Sequence, residues 1–165
     1  MPTSPGPAPT DNRIRSPRFE EGMGKRVDHA PGFMDKTGFV VPGTNYAEDL
    51  LKIIDCISKG HRLPERMYRN GIDRDPDELL ENYGIRHLHL GGADSDVLLF
   101  VVEYHDCALL LEINSHREFA TKPVGATLRR VHERALRAAD GRAQTFLKNL
   151  TSSLKAGLLQ RRKRD

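Results

Sequence analysis

Histidines offer the clearest chemistry in this sequence, because four of the seven fall between positions 87 and 116: His87, His89, His105 and His116. Imidazole titrates near neutral pH and can therefore both accept and donate protons. Two histidines beside an RNA phosphate would supply the base and the acid for attack by the 2′-hydroxyl. We predict a catalytic group formed by His87 and His89, assisted by His116.

Arginines near these histidines and farther along the chain are candidate contacts for the substrate. Arg86 and Arg117 each adjoin a candidate histidine and would stabilise charge on the phosphate. Three more arginines crowd a predicted C-terminal helix and are candidate RNA contacts, namely Arg129, Arg130 and Arg134.

The same histidines permit two other interpretations. His87, His89 and His116 could supply three nitrogen ligands to a metal ion, with Glu112, Glu118 or Asp106 nearby. A His-x-His sequence is a weak metal motif, and the predicted catalysis needs neither metal nor cofactor. The histidines could also decorate a half-exposed sheet face without any catalytic role. The residues alone leave these alternatives open.

Three amphipathic segments predict the helices that would support the site. Asn45 with Glu48 forms a capping-box pattern before apolar residues at helical spacing, and Gly60 is a natural stop. A short helix follows Pro64. A third helix has Asp75 as its predicted cap and ends at Gly84.

Three apolar segments, at residues 85–90, 97–104 and 108–113, predict strands. Their short connections permit only antiparallel neighbours, since a parallel crossover needs a dozen or more residues. The second and third segments are apolar on both faces, so helices should cover both sides of the sheet. In a strand, alternate side chains share a face, which places His87 and His89 together.

The chain divides by composition into three parts. Residues 1–31 are rich in proline and predict a disordered leader. Residues 32–121 predict an α+β core domain, with N-terminal helices packed on a small antiparallel sheet. Residues 122–165 predict a basic C-terminal helical extension, made of one helix that ends near Asp140 and a second that carries spaced leucines.

Charge is distributed unevenly along the chain. Residues 31–121 contain nine basic and sixteen acidic side chains, whereas residues 122–165 contain twelve basic and three acidic side chains. Such a tail can neutralise nucleic-acid phosphates, and RNA, the ribosome or an acidic protein are compatible partners.

Cysteine content and hydropathy restrict the class of protein. Cys56 and Cys107 lie in apolar surroundings without metal-ligand spacing, which predicts buried, unreactive thiols. No apolar run approaches a membrane span, and the N-terminal residues lack the apolar stretch of a signal peptide. We therefore expect a cytoplasmic protein with no membrane partner.

The leucines of the tail usually signify packing on the protein's own core, but they also suit a dimer or partner interface. Within the tail, Gln144, Phe146 and Leu147 weakly resemble a peptide that binds the bacterial replication clamp, although their order departs from the usual form.

The His-x-His strand, the two apolar strands and the segment ending at Phe119 together resemble a known toxin group. Over about residues 46–119, the pattern is similar to RelE-like toxins of type II toxin–antitoxin systems, in particular the YafO-like members. The resemblance implies metal-independent endonucleolytic cleavage of mRNA, often on the ribosome, and a cognate antitoxin. The positions that match are His87, His89 and His116. The acidic body and the long C-terminal extension depart from that pattern.

The function predicted from the sequence is therefore a toxin that cleaves RNA. The first alternative is a non-enzymatic protein that binds nucleic acid or protein through its basic tail, for example on the replication machinery. The second is an accessory protein of a phage or mobile element.

Overall fold

A computed structural model describes residues 11–117 and 123–163. Four strands form one mixed sheet: β1 (Arg26–His29), β2 (Arg86–Leu90), β3 (Val97–Glu103) and β4 (Cys107–Ser115). Their spatial order is β1-β4-β3-β2. The helices are α1 (Asn45–Lys59), α2 (Glu78–Tyr83), α3 (Val124–Val131) and α4 (Glu133–Arg162), with a short 3-10 helix at Glu65–Met67. The α+β class is confirmed, but the N-terminal helices do not come first, because β1 precedes them.

Strands β2, β3 and β4 form the antiparallel part of the sheet that the sequence predicts. Every residue of β3 is buried, which confirms that both faces are covered. Pairing shifts between Phe100, opposite Glu112, and Val101, opposite Leu110. Leu111 is thus an extra residue in β4, and such a bulge changes which face the following side chains occupy.

Helix α1 covers one face of the sheet. Ile53, Cys56 and Ile57 are buried against apolar side chains of β2, β3 and β4. The helix ends at Gly60, as predicted, in a left-handed conformation that glycine adopts without strain. The predicted cap is wrong by one residue: Thr44, not Asn45, accepts a hydrogen bond from the Ala47 amide.

The C-terminal helices cover the other face. Leu128 of α3 and Leu136, Ala139 and Ala143 of α4 are buried with apolar residues of β3 and β4. The first part of the predicted tail therefore belongs to the core. The predicted helix end near Asp140 is also wrong, since α4 continues through it and the break falls at His132 instead.

The predicted disordered leader is wrong for residues 11–31, while residues 1–10 lie outside the described part of the chain. Strand β1 pairs in parallel with β4, so the sheet is mixed and not purely antiparallel. Ile14 and Phe19 are buried nearby. Strand β1 is hard to recognise from local patterns, because it is short and polar and its partner is distant in the chain.

A buried ionic group fastens the N-terminal segment to the sheet. Lys25 Nζ lies 2.7 Å from Glu103 Oε1, and Arg86 Nη2 lies 3.1 Å from Glu103 Oε2. All three side chains are buried. A buried charge without a partner is costly, so removal of Lys25 or Arg86 would leave Glu103 with a single cationic partner.

Helix α2 stands beside β2 and is capped by a residue that the sequence did not single out. Asp77 accepts a hydrogen bond from the Leu80 amide, so the prediction of Asp75 as the cap is wrong. Gly84 ends the helix, as predicted, with a φ of 63°. Asp77 also lies near the ring of His87, so the helix cap affects the surroundings of that histidine.

The second half of α4 extends beyond the body. Its leucines Leu150, Leu154 and Leu158 are exposed, as is Lys155 between them. Within the described ranges, no helix is both long enough and apolar enough to cross a membrane.

Replacement of Lys25 tests the buried ionic group. We expect Lys25→Met to lower the free energy of unfolding by about 3 kcal/mol, because Glu103 would lose one of its two cationic partners. The matched control is Arg26→Met, which removes an exposed pair with Asp28 and should cost less than about 1 kcal/mol. Urea denaturation measures both values, and equal effects would contradict the ionic role of Lys25.

Candidate functional site: a three-histidine cluster

The sheet brings together the three histidines that the sequence singled out. His87 lies opposite Phe100 and His89 opposite Leu98, so both project from the same face of edge strand β2. His116 directly follows β4, whose last residue, Ser115, pairs with β3 at Val97. One ring nitrogen from each histidine lies within 4.8 Å of those of the other two.

The three rings form a closed triangle. Ring centroids are 5.6 Å apart for His87 and His89, 5.8 Å for His87 and His116, and 5.6 Å for His89 and His116. His89 is buried, His87 is partly buried and His116 is exposed. The cluster therefore reaches from the edge of the core to solvent.

An oxygen atom lies near the Nδ1 atom of each histidine. The Ser95 carbonyl oxygen is 2.9 Å from His89 Nδ1, and Asp96 Oδ1 is 3.1 Å from His116 Nδ1. Asp77 Oδ2 is 3.7 Å from His87 Nδ1, which is an electrostatic contact without a hydrogen bond. Since a carbonyl can only accept, His89 Nδ1 carries the proton, and in the neutral ring its Nε2 holds a free lone pair.

His89 Nε2 is buried without a hydrogen-bond partner among the described residues. Buried polar atoms of this kind are rare, because an unmade hydrogen bond costs free energy. The nitrogen is thus available to accept a proton or to bind an electrophile.

Burial keeps these rings uncharged. The pKa of His87 is lowered from 6.5 to about 4, chiefly by desolvation, while Asp77 opposes the shift and the neighbouring His89 and His116 contribute to it. The pKa of His89 is also lowered, chiefly by burial, while the bond to Ser95 opposes the shift. Both rings are therefore neutral near pH 7 and can act as bases or ligands.

Arg86 does not belong to the site. Strand alternation turns it to the opposite face from His87, where it is buried and pairs with Glu103 and the Pro17 carbonyl. The prediction that it contacts phosphate is therefore wrong for this cluster. Arg117 is placed better: its side chain is exposed, and its Nε lies 3.3 Å from Asp96, the partner of His116.

The arginines of the C-terminal helices lie on elements other than the cluster. Arg129 and Arg130 are exposed on α3, and Arg134 is exposed on α4. They remain candidate contacts for an extended polyanion.

Other residues that the sequence suggested are placed elsewhere. His105 and Asp106 occupy the turn between β3 and β4, at the other end of these strands from His116. Glu112 is buried and contacts His132, Asn114 and Lys36 instead of the cluster. Glu118 lies outside the described residues.

The clamp-like segment is part of helix α4. Gln144 and Phe146 are exposed and Leu147 is partly buried. Peptides of that class normally bind in an extended form, so the helical conformation gives the predicted clamp contact no support.

Sequence reasoning missed the oxygen atoms that orient the rings. The sequence pattern predicts Asp75 and not Asp77 as the cap of the third helix. It indicates only a connection between strands for the segment that contains Ser95 and Asp96. The available signal was the density of Asp and Ser beside a His-x-His strand. Which of them meets which ring depends on the tertiary fold.

Comparisons of the chain with protein-family models, curated proteins and solved structures found no match. The function must therefore be argued from the site itself.

The low pKa of His87 predicts a pH-dependent stability. Between about pH 6.5 and 4 the unfolded chain binds the proton and the folded chain does not, so stability falls as the pH falls through this window. From pH 7 to pH 5 the loss attributable to His87 should be about 2 kcal/mol. Denaturation of His87→Gln should show a correspondingly weaker pH dependence.

The matched control for this measurement is His105→Gln, which removes an exposed histidine far from the cluster. It should retain the pH dependence of the wild type. An unchanged dependence in His87→Gln would contradict the buried, neutral state of that ring.

Proposed function

We propose that the protein is a ribonuclease toxin whose histidine cluster transfers protons during RNA cleavage. The observation that carries the proposal is the convergence of one ring nitrogen from each of the three histidines within 4.8 Å, together with a buried His89 Nε2 that has no hydrogen-bond partner among the described residues. Further support comes from the exposed arginine at the edge of the cluster and from the basic helix α4.

Cleavage begins when a neutral ring accepts the proton of the ribose 2′-hydroxyl. The 2′-oxygen then attacks phosphorus, and the bond between phosphorus and the 5′-oxygen breaks. The leaving 5′-oxygen takes a proton from the cluster, which yields a 2′,3′-cyclic phosphate and a free 5′-hydroxyl. Because the rings are adjacent, the proton accepted in the first step can be returned in the last, so no protonated histidine is required at the start.

Each histidine has a distinct place in this scheme. The lone pair on His89 Nε2 can accept the proton of the 2′-hydroxyl, and the low pKa of His87 keeps that ring unprotonated near neutral pH. His116 is exposed and would meet the substrate first. Arg117 adjoins it and would stabilise the negative charge on the phosphate.

Helix α4 would increase affinity for RNA without selecting a sequence. From residue 144 to its end at Arg162 it carries four basic side chains and no acidic one, and Lys163 follows directly. A cognate antitoxin and the ribosome are the proposed partners, and either would meet this charged, partly apolar surface.

The second candidate function is binding without catalysis. The exposed leucines of α4 favour it, because an unpartnered apolar stripe on a protruding helix is typical of a docking surface. In that case the toxic effect, if present, would depend on α4 and not on the histidines.

Induced expression of the His89→Ala/His116→Ala double variant in a bacterial host distinguishes the two functions. We expect growth arrest by wild type, rescue by the double variant, and at least about a 100-fold loss of RNA cleavage in the presence of a chelator. His61→Ala/His105→Ala is the control, since both histidines are exposed and lie outside the cluster. Arrest by both double variants at equal protein level would favour binding through α4.

Neutralising the end of α4 tests its role in affinity. We expect replacement of Lys148, Lys155, Arg161 and Arg162 by Gln to weaken RNA binding and to flatten its dependence on salt concentration. The control is a four-residue set on the body, Lys52, Lys59, Arg62 and Arg74, all exposed. Fluorescence anisotropy at several salt concentrations measures both, and equal losses would show that α4 has no special role.

A further inference from the structure

The buried Nε2 atom of His89 has no hydrogen-bond partner among the described residues. The Nδ1 atom of the same ring donates to the Ser95 carbonyl, so the lone pair of Nε2 is fixed on a buried atom of the cluster. One ring nitrogen from each of His87, His89 and His116 lies within 4.8 Å of the corresponding nitrogens of the other two. A single electrophile placed among the three could satisfy all of them.

The oxygen atoms around the cluster match the outer contacts of metal-binding histidines. Such histidines usually donate their second ring N–H to a carboxylate or a backbone carbonyl, which orients the ring and raises its basicity. Here Ser95 and Asp96 accept from His89 and His116, and Asp77 lies beside His87. All three contacts involve Nδ1, which leaves Nε2 as the common candidate ligand.

The spacing of the rings fits one tetrahedral ion after a small adjustment. Zinc–nitrogen bonds of about 2.1 Å place ligand nitrogens roughly 3.4 Å apart. The present limit of 4.8 Å therefore requires movements of about 1 Å. The exposed ring of His116 can make such a movement, while β2 holds the other two rings in place.

We infer that His87, His89 and His116 form a binding site for one divalent transition-metal ion of the zinc class. Three neutral imidazoles suit Zn²⁺ or Co²⁺ and do not suit Mg²⁺ or Ca²⁺, which prefer oxygen ligands. Since His116 is exposed, a fourth position faces solvent and would hold water or a small anion.

Protons compete with a metal ion for these nitrogens, because a metal ligand must be deprotonated. The inference does not rest on RNA cleavage, and its test needs no RNA.

Titration of the full, untagged chain with Zn²⁺ in a calorimeter tests the site. We expect one ion per chain with a dissociation constant in the micromolar range or tighter. Titration with Co²⁺ should produce the visible absorption of a four-coordinate nitrogen site. Mg²⁺ should give neither signal.

Single replacements identify the ligands. His116→Ala changes an exposed residue and should leave the fold intact, yet it should weaken Zn²⁺ binding at least about 100-fold. His89→Ala should do the same. His105→Ala, the control, should leave the affinity unchanged.

A further pair of variants tests the outer contacts. Asp96→Asn should weaken binding about 10-fold because it removes the carboxylate that accepts from His116. Asp94 lies in the same loop and is bonded to Asn70, so Asp94→Asn should weaken binding much less than Asp96→Asn does. Absence of Zn²⁺ binding, or equal affinity in wild type and His116→Ala, would overturn the inference.

Discussion

The pairing of β2, β3 and β4 is the constraint on which the rest of the molecule depends. Strand β3 is buried along its whole length, so its partners must be in register and both sheet faces must be covered. That register brings the two histidines of β2 near the end of β4. A shift by one residue would turn both histidines to the opposite face. The bulge at Leu111 shifts the pairing of β3 with β4 by one residue, and β4 continues from there to Ser115, directly before His116.

Electrostatics divide the molecule into a desolvated interior and a highly charged exterior. Inside, Glu103 is held by Lys25 and Arg86, which ties the N-terminal segment to the sheet. Outside, the acidic central part and the basic helix α4 have opposite net charge. The interior pairs stabilise the fold, while the uneven exterior charge gives α4 a net positive charge.

The histidine cluster joins these two regimes. His89 is buried and His116 is exposed, so the cluster extends from the core to the solvent. Proton transfer and metal binding both require unprotonated nitrogen, and the same burial favours both. A proton and a metal ion would compete for the same lone pairs, which links the two proposals chemically while leaving each to its own test.

The sequence by itself determined the local features of this protein. Alternating and continuous apolar patterns identified three strands, glycines marked the ends of α1 and α2, and apolar surroundings indicated that Cys56 and Cys107 are buried. Strand periodicity placed His87 and His89 on one face. The same periodicity turns Arg86 to the opposite face, against the prediction that it contacts phosphate beside these histidines.

Only the tertiary structure decided the features that depend on contacts between distant segments. Strand β1 is polar and short, and it is stabilised by pairing with β4 and by the buried charge of Glu103. Helix α4 passes through the predicted break at Asp140 because packing on the sheet outweighs local propensity. The convergence of His116 with the other histidines depends on strand register and loop geometry. Local residue preferences cannot encode such contacts, since their energies arise only when remote parts of the chain meet.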